Sequence, residues 1–392
     1  MQFPHFLKQD LVKKNNTNRR LVFLDVLKGL AIIAVICDHS KVWSQLCPLK
    51  FLPFPITFFS VSLFVLCAGY TSVLSLERNT ESPLLWIRRK VVHILVSYFV
   101  ATAIYLFFAD PAHVIHINKF LTVIIRFNAS PPFYFLAFFL QLLCVAPFFY
   151  NLLSAKGGKF HFVLKMVFYL LSLLLSYACL KHTYINDMLL AGHFLLGGTF
   201  FAAYVTGQLI CIYRDIVFRK VINLILLIAS ASLFYLSHAR CFNRIQFISN
   251  MNPPGARHIL YALTVFFAIS FLFLLFPKIL SFALAPVSFL GKYSLEIFLY
   301  HFLVMKFCGN YFRVGSNGGI VITDANPTWN LFICRAIVFP RVYSSHSIYI
   351  YIYRSCGISL LFICPGIVHH VYALFNKIAE KLYERIELKC SF

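Results

Sequence analysis

The residues best placed to do chemistry lie in the stretch RRLVFLDVLKGLAIIAVICDHS, residues 19–40. Asp25 and Lys28 interrupt an apolar run that ends on Asp38, His39 and Ser40. On a helix turning about 100° per residue, Lys28 and His39 point within about 20° of each other, and Asp25 and His39 within about 40°. One face therefore carries Asp25, Lys28 and His39, while Ile33 and Val35 are turned toward lipid or other helices. Ionisable residues within an apolar span are costly and face a bundle interior or a wet cavity. Placed so, His39 is expected to be buried, neutral and able to accept a proton, the role of a general base. A hydroxyl nucleophile needs such a base. Asp25 lies about 21 Å from His39 along the helix, too far to orient it, and is expected to pair with Lys28 or with an arginine. Asp38 points about 100° away from His39.

A second candidate set lies in FLGKYSLEIFLYHFLV, residues 289–304. Ser294 and His301 fall on one helical face, and Glu296 points about 140° from His301. Glu296 either pairs with Lys292 one turn earlier or joins the chemistry. His301 and Glu296 are the candidate partners of His39 from another helix. A basic cluster, Arg88, Arg89 and Lys90, opens the stretch WIRRKVVHILVSY, residues 86–98. It is either a topology anchor or a phosphate site for a donor such as coenzyme A. Phe133-Tyr134-Phe135 is an interfacial aromatic belt or a platform for stacking a sugar. Asp110, His113 and His116 could suggest a metal, but catalytic zinc needs three protein ligands with matching spacing, and no metal is expected.

D-x-x-K-G followed by an apolar run and a histidine resembles the first helix of the membrane-bound acyltransferase family 3, multi-span proteins that O-acylate sugars and cell-surface glycans. The Lys28-Gly29 form is similar to the branch containing fucose 4-O-acetylase-like proteins; many other members of the family have Arg-Gly. Cys67-Ala68-Gly69-Tyr70 is similar to the family's F-F-x-x-S-G-Y stretch, with Cys-Ala near the usual Ser. The basic cluster matches at Arg88 and Arg89, with His93 where a further arginine is common. Residues 289–304 resemble the family's L-G-x-x-S-x-x-x-Y-x-x-H helix, with Phe298 in place of Tyr. The resemblance covers roughly residues 19–305. It implies catalytic roles for His39, Glu296 and His301, and donor binding by Arg88, Arg89, Lys28 and Asp25.

These residues need a membrane scaffold. The chain of 392 residues is 60% hydrophobic and 12% charged, with mean hydropathy +0.79. Soluble domains are about 25% charged. Repeated apolar runs of bilayer length specify an all-α polytopic integral membrane protein, and the short alternating segments of an outer-membrane barrel are missing. Ten spans are expected, near 21–40, 52–74, 91–109, 133–152, 160–179, 188–210, 219–237, 258–276, 292–309 and 346–372. Gly192, Gly197 and Gly198 read as helix-packing positions. Lys and Arg favour the N-terminal segment, the even-numbered loops and the C-terminal segment, which places both termini in the cytoplasm. Much of the net charge of +22 is explained by that rule, and no nucleic acid is expected. The twelve cysteines are scattered singly with no C-x-x-C, as core packing residues are.

The expected organisation is a basic cytoplasmic tail over 1–20, a transmembrane acyltransferase domain over 21–376 and a cytoplasmic tail over 377–392. The expected activity is O-acylation of a sugar or glycan hydroxyl at the cell membrane. Acetyl-CoA is the co-substrate, and the lipid bilayer, an acyl-CoA and a glycan are the partners. The alternative is a transporter or exporter of a glycan or lipid-linked sugar, which ten spans with buried charges also suit.

Overall fold

The computed structural model describes residues 21–40, 57–79, 82–109, 117–154, 159–181, 195–238, 254–309, 312–314 and 320–322. The chain divides into two compact units, Met1–Leu95 with Thr102–Ser294, and Val96–Ala101 with Leu295–Phe392.

The first unit is built around helix α1, Val22–Ser40. Val26, Leu27, Ala31 and Ile32 are fully buried, and Val35 is nearly so. A helix apolar all round belongs in the interior. Against it pack α2 (Ser60–Glu77), α10 (Ala256–Leu275) and the short α12 (Ala285–Lys292). Phe23 of α1 meets Tyr70 of α2, Phe266 of α10 and Phe218 edge to face. Helix α7, Phe200–Ile212, crosses α2 at a reciprocal pair of glycines. A Cβ on Gly69 would overlap the Tyr204 carbonyl, and one on Gly207 would overlap the Leu66 carbonyl. Small residues allow this backbone approach where apolar attraction between helices is weak.

The other helices follow in chain order. Helix α3 is Pro83–Ala109, α4 is Ile117–Arg126, and a 3₁₀ turn at Pro131–Phe133 leads into α5, Tyr134–Ser154. Helix α6 is Lys159–Lys181, α8 is Arg214–Val217 and α9 is Lys220–Leu236. Within the α9–α10 pair, Asn223 Nδ2 donates to Ser270 Oγ at 3.0 Å, a polar clasp in an apolar contact. Helix α11, Pro277–Ala283, joins α10 to α12.

In the second unit, α13 (Ser294–Gly309) runs on from Ser294, and β1 (Phe312–Val314) pairs antiparallel with β2 (Ile320–Ile322) with Arg313 opposite Val321. That hairpin falls in a stretch expected to be an outer loop.

Among the described residues, five helices are long and apolar enough to cross a bilayer: Ser60–Glu77, Pro83–Phe107, Pro131–Ser154, Phe160–Ala178 and Ala256–Leu275. Phe200–Ile212, Lys220–Leu236 and Ser294–Val304 are shorter apolar helices. The protein is a multi-pass, helical membrane protein. The expected span over 346–372, both tails, Gly192 and the Asp110, His113 and His116 set lie outside the described residues.

Two expectations change. Helix α3 starts at Pro83 rather than near residue 91, because Ser82 and Pro83 form a helix start: the Leu85 N–H donates to Ser82 Oγ at 3.4 Å. Gly197 and Gly198 are not positions inside a regular packing helix. They sit with Leu196 at a break, with φ of 77°, 58° and 50°. Left-handed backbone is open to glycine without a Cβ penalty. The Phe138 ring covers Gly197, where a Cβ would come within 2.7 Å of it.

Candidate active site

At the N-terminal end of α1, Lys28 Nζ meets Asp25 Oδ1 at 3.0 Å. Residues three apart on a helix are neighbours, which makes this pair local. The Asp25 side chain is 6% exposed and that of Lys28 23%, so the carboxylate sits inside while the ammonium reaches outward. Cys67 of α2, fully buried, lies within electrostatic reach of both. This places the Cys67-Ala68-Gly69-Tyr70 stretch beside the pair.

The first-helix motif and the 289–304 motif meet here through their glycines. A Cβ on Gly29 would overlap the Val287 carbonyl, and one on Gly291 would overlap the Asp25 carbonyl. Helix α12 therefore lies on α1 with backbone touching backbone, one turn from the ion pair. Neither motif alone discloses this contact. Each contains a glycine, and only the crossing shows why a side chain is excluded at both.

The basic cluster stands at the same end. Trp86 is buried and donates through Nε1 to Ser75 Oγ at 2.9 Å, pinning the start of α3 to the last turn of α2. Arg88 and Arg89 follow it and are exposed. Arg89 Nη2 donates to Asn79 Oδ1 at 3.4 Å. His93, in the next turn, is also exposed. An ion pair missed in the sequence lies nearby: Arg214 Nη1 donates to both carboxylate oxygens of Glu77 at 2.8 Å each. The Leu-Glu-Arg end of the second span was the available signal.

His39 stands at the opposite end of α1. The helix is continuous, so the roughly 21 Å of rise between Asp25 and His39 is retained. His39 is exposed rather than buried as expected, because the packed part of the helix ends at Ala34 and Val35 and the last turn projects beyond it. Asp38 accepts a hydrogen bond from Thr57 Oγ1 at 3.2 Å, which ties the end of α1 to the turn before α2. Tyr134, at the start of α5, lies within electrostatic reach of Asp38. Tyr134 of the aromatic triplet thus comes near the carboxylate that adjoins His39 in sequence.

In the second unit, His301 is buried, and its Nδ1 lies 2.6 Å from the Phe298 carbonyl. A carbonyl only accepts, so Nδ1 is the donor in this contact. Glu296 lies in the first turn of α13.

The arrangement offers cationic side chains at one end of a buried helix and an imidazole with a nearby carboxylate and phenol at the other. A family model described as an acyltransferase domain matches residues 21–340. The chain belongs to the acyltransferase 3 family. This acyltransferase is therefore an enzyme of the membrane, with a lipid bilayer around it and an acyl donor as substrate. The match begins one residue before α1, and it spans Asp25, Lys28, His39, Arg88, Arg89, Glu296 and His301. It reaches beyond residue 305, where the sequence resemblance ended. No curated protein and no solved structure matches the chain.

Proposed function

We propose that this acyltransferase transfers an acetyl group from acetyl-CoA to a hydroxyl of a sugar or cell-surface glycan, in the manner of the fucose 4-O-acetylase-like branch. The observation that carries the reading is the polarity of α1. A buried ion pair flanked by exposed arginines marks one end, and His39 with Asp38, Thr57 and Tyr134 marks the other.

Arg88 and Arg89 hold the donor phosphates by charge-assisted hydrogen bonds, and Lys28 and Asp25 line the path of the pantetheine arm. His39 takes the proton from the acceptor hydroxyl as its oxygen attacks the thioester carbonyl. The carbon–sulfur bond breaks, the thiolate leaves, and the proton carried by His39 neutralises it. His301 and Glu296 are the other candidate catalytic groups. The scaffold is a ten-span domain over 21–376 in the cell membrane, with cytoplasmic tails at 1–20 and 377–392 that put the arginines on the cytoplasmic side. The enzyme assignment takes precedence over the exporter reading.

The test is His39→Gln in proteoliposomes supplied with acetyl-CoA and sugar acceptors. Glutamine keeps hydrogen bonding and loses basicity. Loss of a general base lowers the rate by about 10²–10⁴-fold. Near-wild-type transfer by well-folded His39→Gln protein would remove His39 as the base and turn attention to His301 and Glu296.

A further inference from the structure

Helix α4, Ile117–Arg126, lies in the chain between two segments long and apolar enough to cross a bilayer, Pro83–Phe107 and Pro131–Ser154. A helix between two consecutive spans sits at one face of the membrane. That face is the His39 end of the first unit. Tyr105, near the end of α3, meets Phe133 edge to face at 5.3 Å, and the next residue, Tyr134, is within electrostatic reach of Asp38. Ten residues rise about 15 Å, half of a hydrocarbon core of about 30 Å, so α4 is too short to cross it.

Its sequence, INKFLTVIIR, divides in two on a helical wheel. Ile117, Phe120, Leu121, Ile124 and Ile125 fall in an arc of about 140°, and Asn118, Lys119, Thr122 and Arg126 in an adjoining arc of about 100°. The polar arc holds two cations and no acid, which complements lipid phosphate. In a water-soluble protein a helix of this pattern turns its apolar arc to the core. Here protein covers one edge of that arc and leaves the other open. Phe120 and Ile124 are half-buried, whereas Leu121 is 46% exposed and Ile125 73%. Thr122 and Arg126 are exposed on the polar side.

The end of the helix gives a second indication. The Phe127 N–H donates to the Ile124 carbonyl at 3.2 Å and the Asn128 N–H to the Val123 carbonyl at 3.4 Å, the paired bonds that close a helix on a left-handed residue. That residue is Phe127, with φ of 51°. Glycine adopts this backbone without strain, and a bulky residue rarely does. A phenyl ring kept at a strained position is explained by a gain from the ring itself. Phe and Leu are apolar anchors of helices that lie in the membrane interface.

We propose that α4 lies in the plane of the bilayer surface at the His39 end, its Leu121 and Ile125 edge in the acyl chains just below the headgroups and its Thr122 and Arg126 edge among phosphates and water. The partner is the phospholipid interface, which anchors the α3–α5 connection.

The test uses the full chain in phosphatidylcholine nanodiscs. Leu121→Trp and Ile125→Trp each place an indole on the open apolar edge, and Thr122→Trp places one on the polar edge. All three positions are exposed, so the larger ring fits, and two apolar positions guard against one variant failing to fold. The added emission is read after subtracting that of the wild type. An apolar edge sunk about 5–10 Å into the headgroup–acyl boundary brings the indoles at 121 and 125 closest to bromine carried near the glycerol end of the acyl chain. That lipid should quench them more than one brominated at mid-chain, and aqueous iodide should leave them bright. The indole at 122 should show the reverse, quenched by iodide and little by bromine. Iodide quenching at 121 and 125 would place that edge in water and overturn the proposal. Quenching by neither agent would show protein over that edge, a second copy included, and would overturn it as well. So would strongest quenching by the mid-chain bromine, which marks a segment deeper than the interface.

Discussion

Replacing Gly291 by alanine tests whether the contact of α12 with α1 sets the active-site geometry. The new Cβ would overlap the Asp25 carbonyl and come within 2.8 Å of the Gly29 nitrogen. These are backbone atoms, so no rotamer change relieves the clash, and α12 must retreat by roughly 1.5–2 Å to reach ordinary contact distance. Overpacking of this kind costs about 1–3 kcal/mol. Alanine returns about 0.5–1 kcal/mol in helix preference, which leaves a net loss of about 1–2 kcal/mol. The expected fall in Tm is a few degrees. The effect on rate is larger, because a displacement of about 1 Å at a catalytic assembly costs about 10²-fold. Gly29→Ala inserts its Cβ into the Val287 carbonyl at the same crossing, and one retreat relieves both clashes. The double variant should therefore cost less than the sum of the two singles. Thermal unfolding of the purified protein and its acetyl-transfer rate are the measurements. A Gly291→Ala protein with wild-type Tm and wild-type rate would refute the argument.

Two further predictions concern the charged end of α1. Lys28→Met should destabilise by about 1–3 kcal/mol, the cost of removing one charged partner from a buried carboxylate, and adding Asp25→Asn should restore part of it; equal Tm values for the single and double variants would contradict this. Arg88→Gln with Arg89→Gln should raise the acetyl-CoA KM, each lost phosphate contact weakening binding by about 1–3 kcal/mol, while reporter fusions after Lys156 and near Asn128 keep reporting cytoplasm and outside. Swapped reporter sides with an unchanged KM would make the arginines topology anchors.

Much of this was legible in the sequence, and the rest fails for identifiable reasons. The extent of α1 and the Asp25–Lys28 pair follow from helical spacing, because both are local. The exposure of His39 does not, since it depends on where neighbouring helices stop covering the last turn. The start of α3 was marked by Ser82-Pro83, but a reading that placed the membrane boundary at the arginines concealed a helix continuing past them. Helix α4 had the pattern of an amphipathic segment within residues taken as loop. Gly29 and Gly291 are 262 positions apart in the sequence. No periodicity connects them, and their meeting is a property of the packing alone.

The break at Leu196 has a consequence for how the chain assembles. The Leu196 N–H donates to Gln141 Oε1 at 2.8 Å. Gln141 lies ten residues into the Pro131–Ser154 span, about 15 Å along it, at bilayer depth. A helix inserting alone carries all its backbone bonds within itself, but a segment with a left-handed interruption does not. Residues 195–212 thus draw on a side chain from a helix made earlier. The break is therefore completed only where α5 lies beside it at that depth.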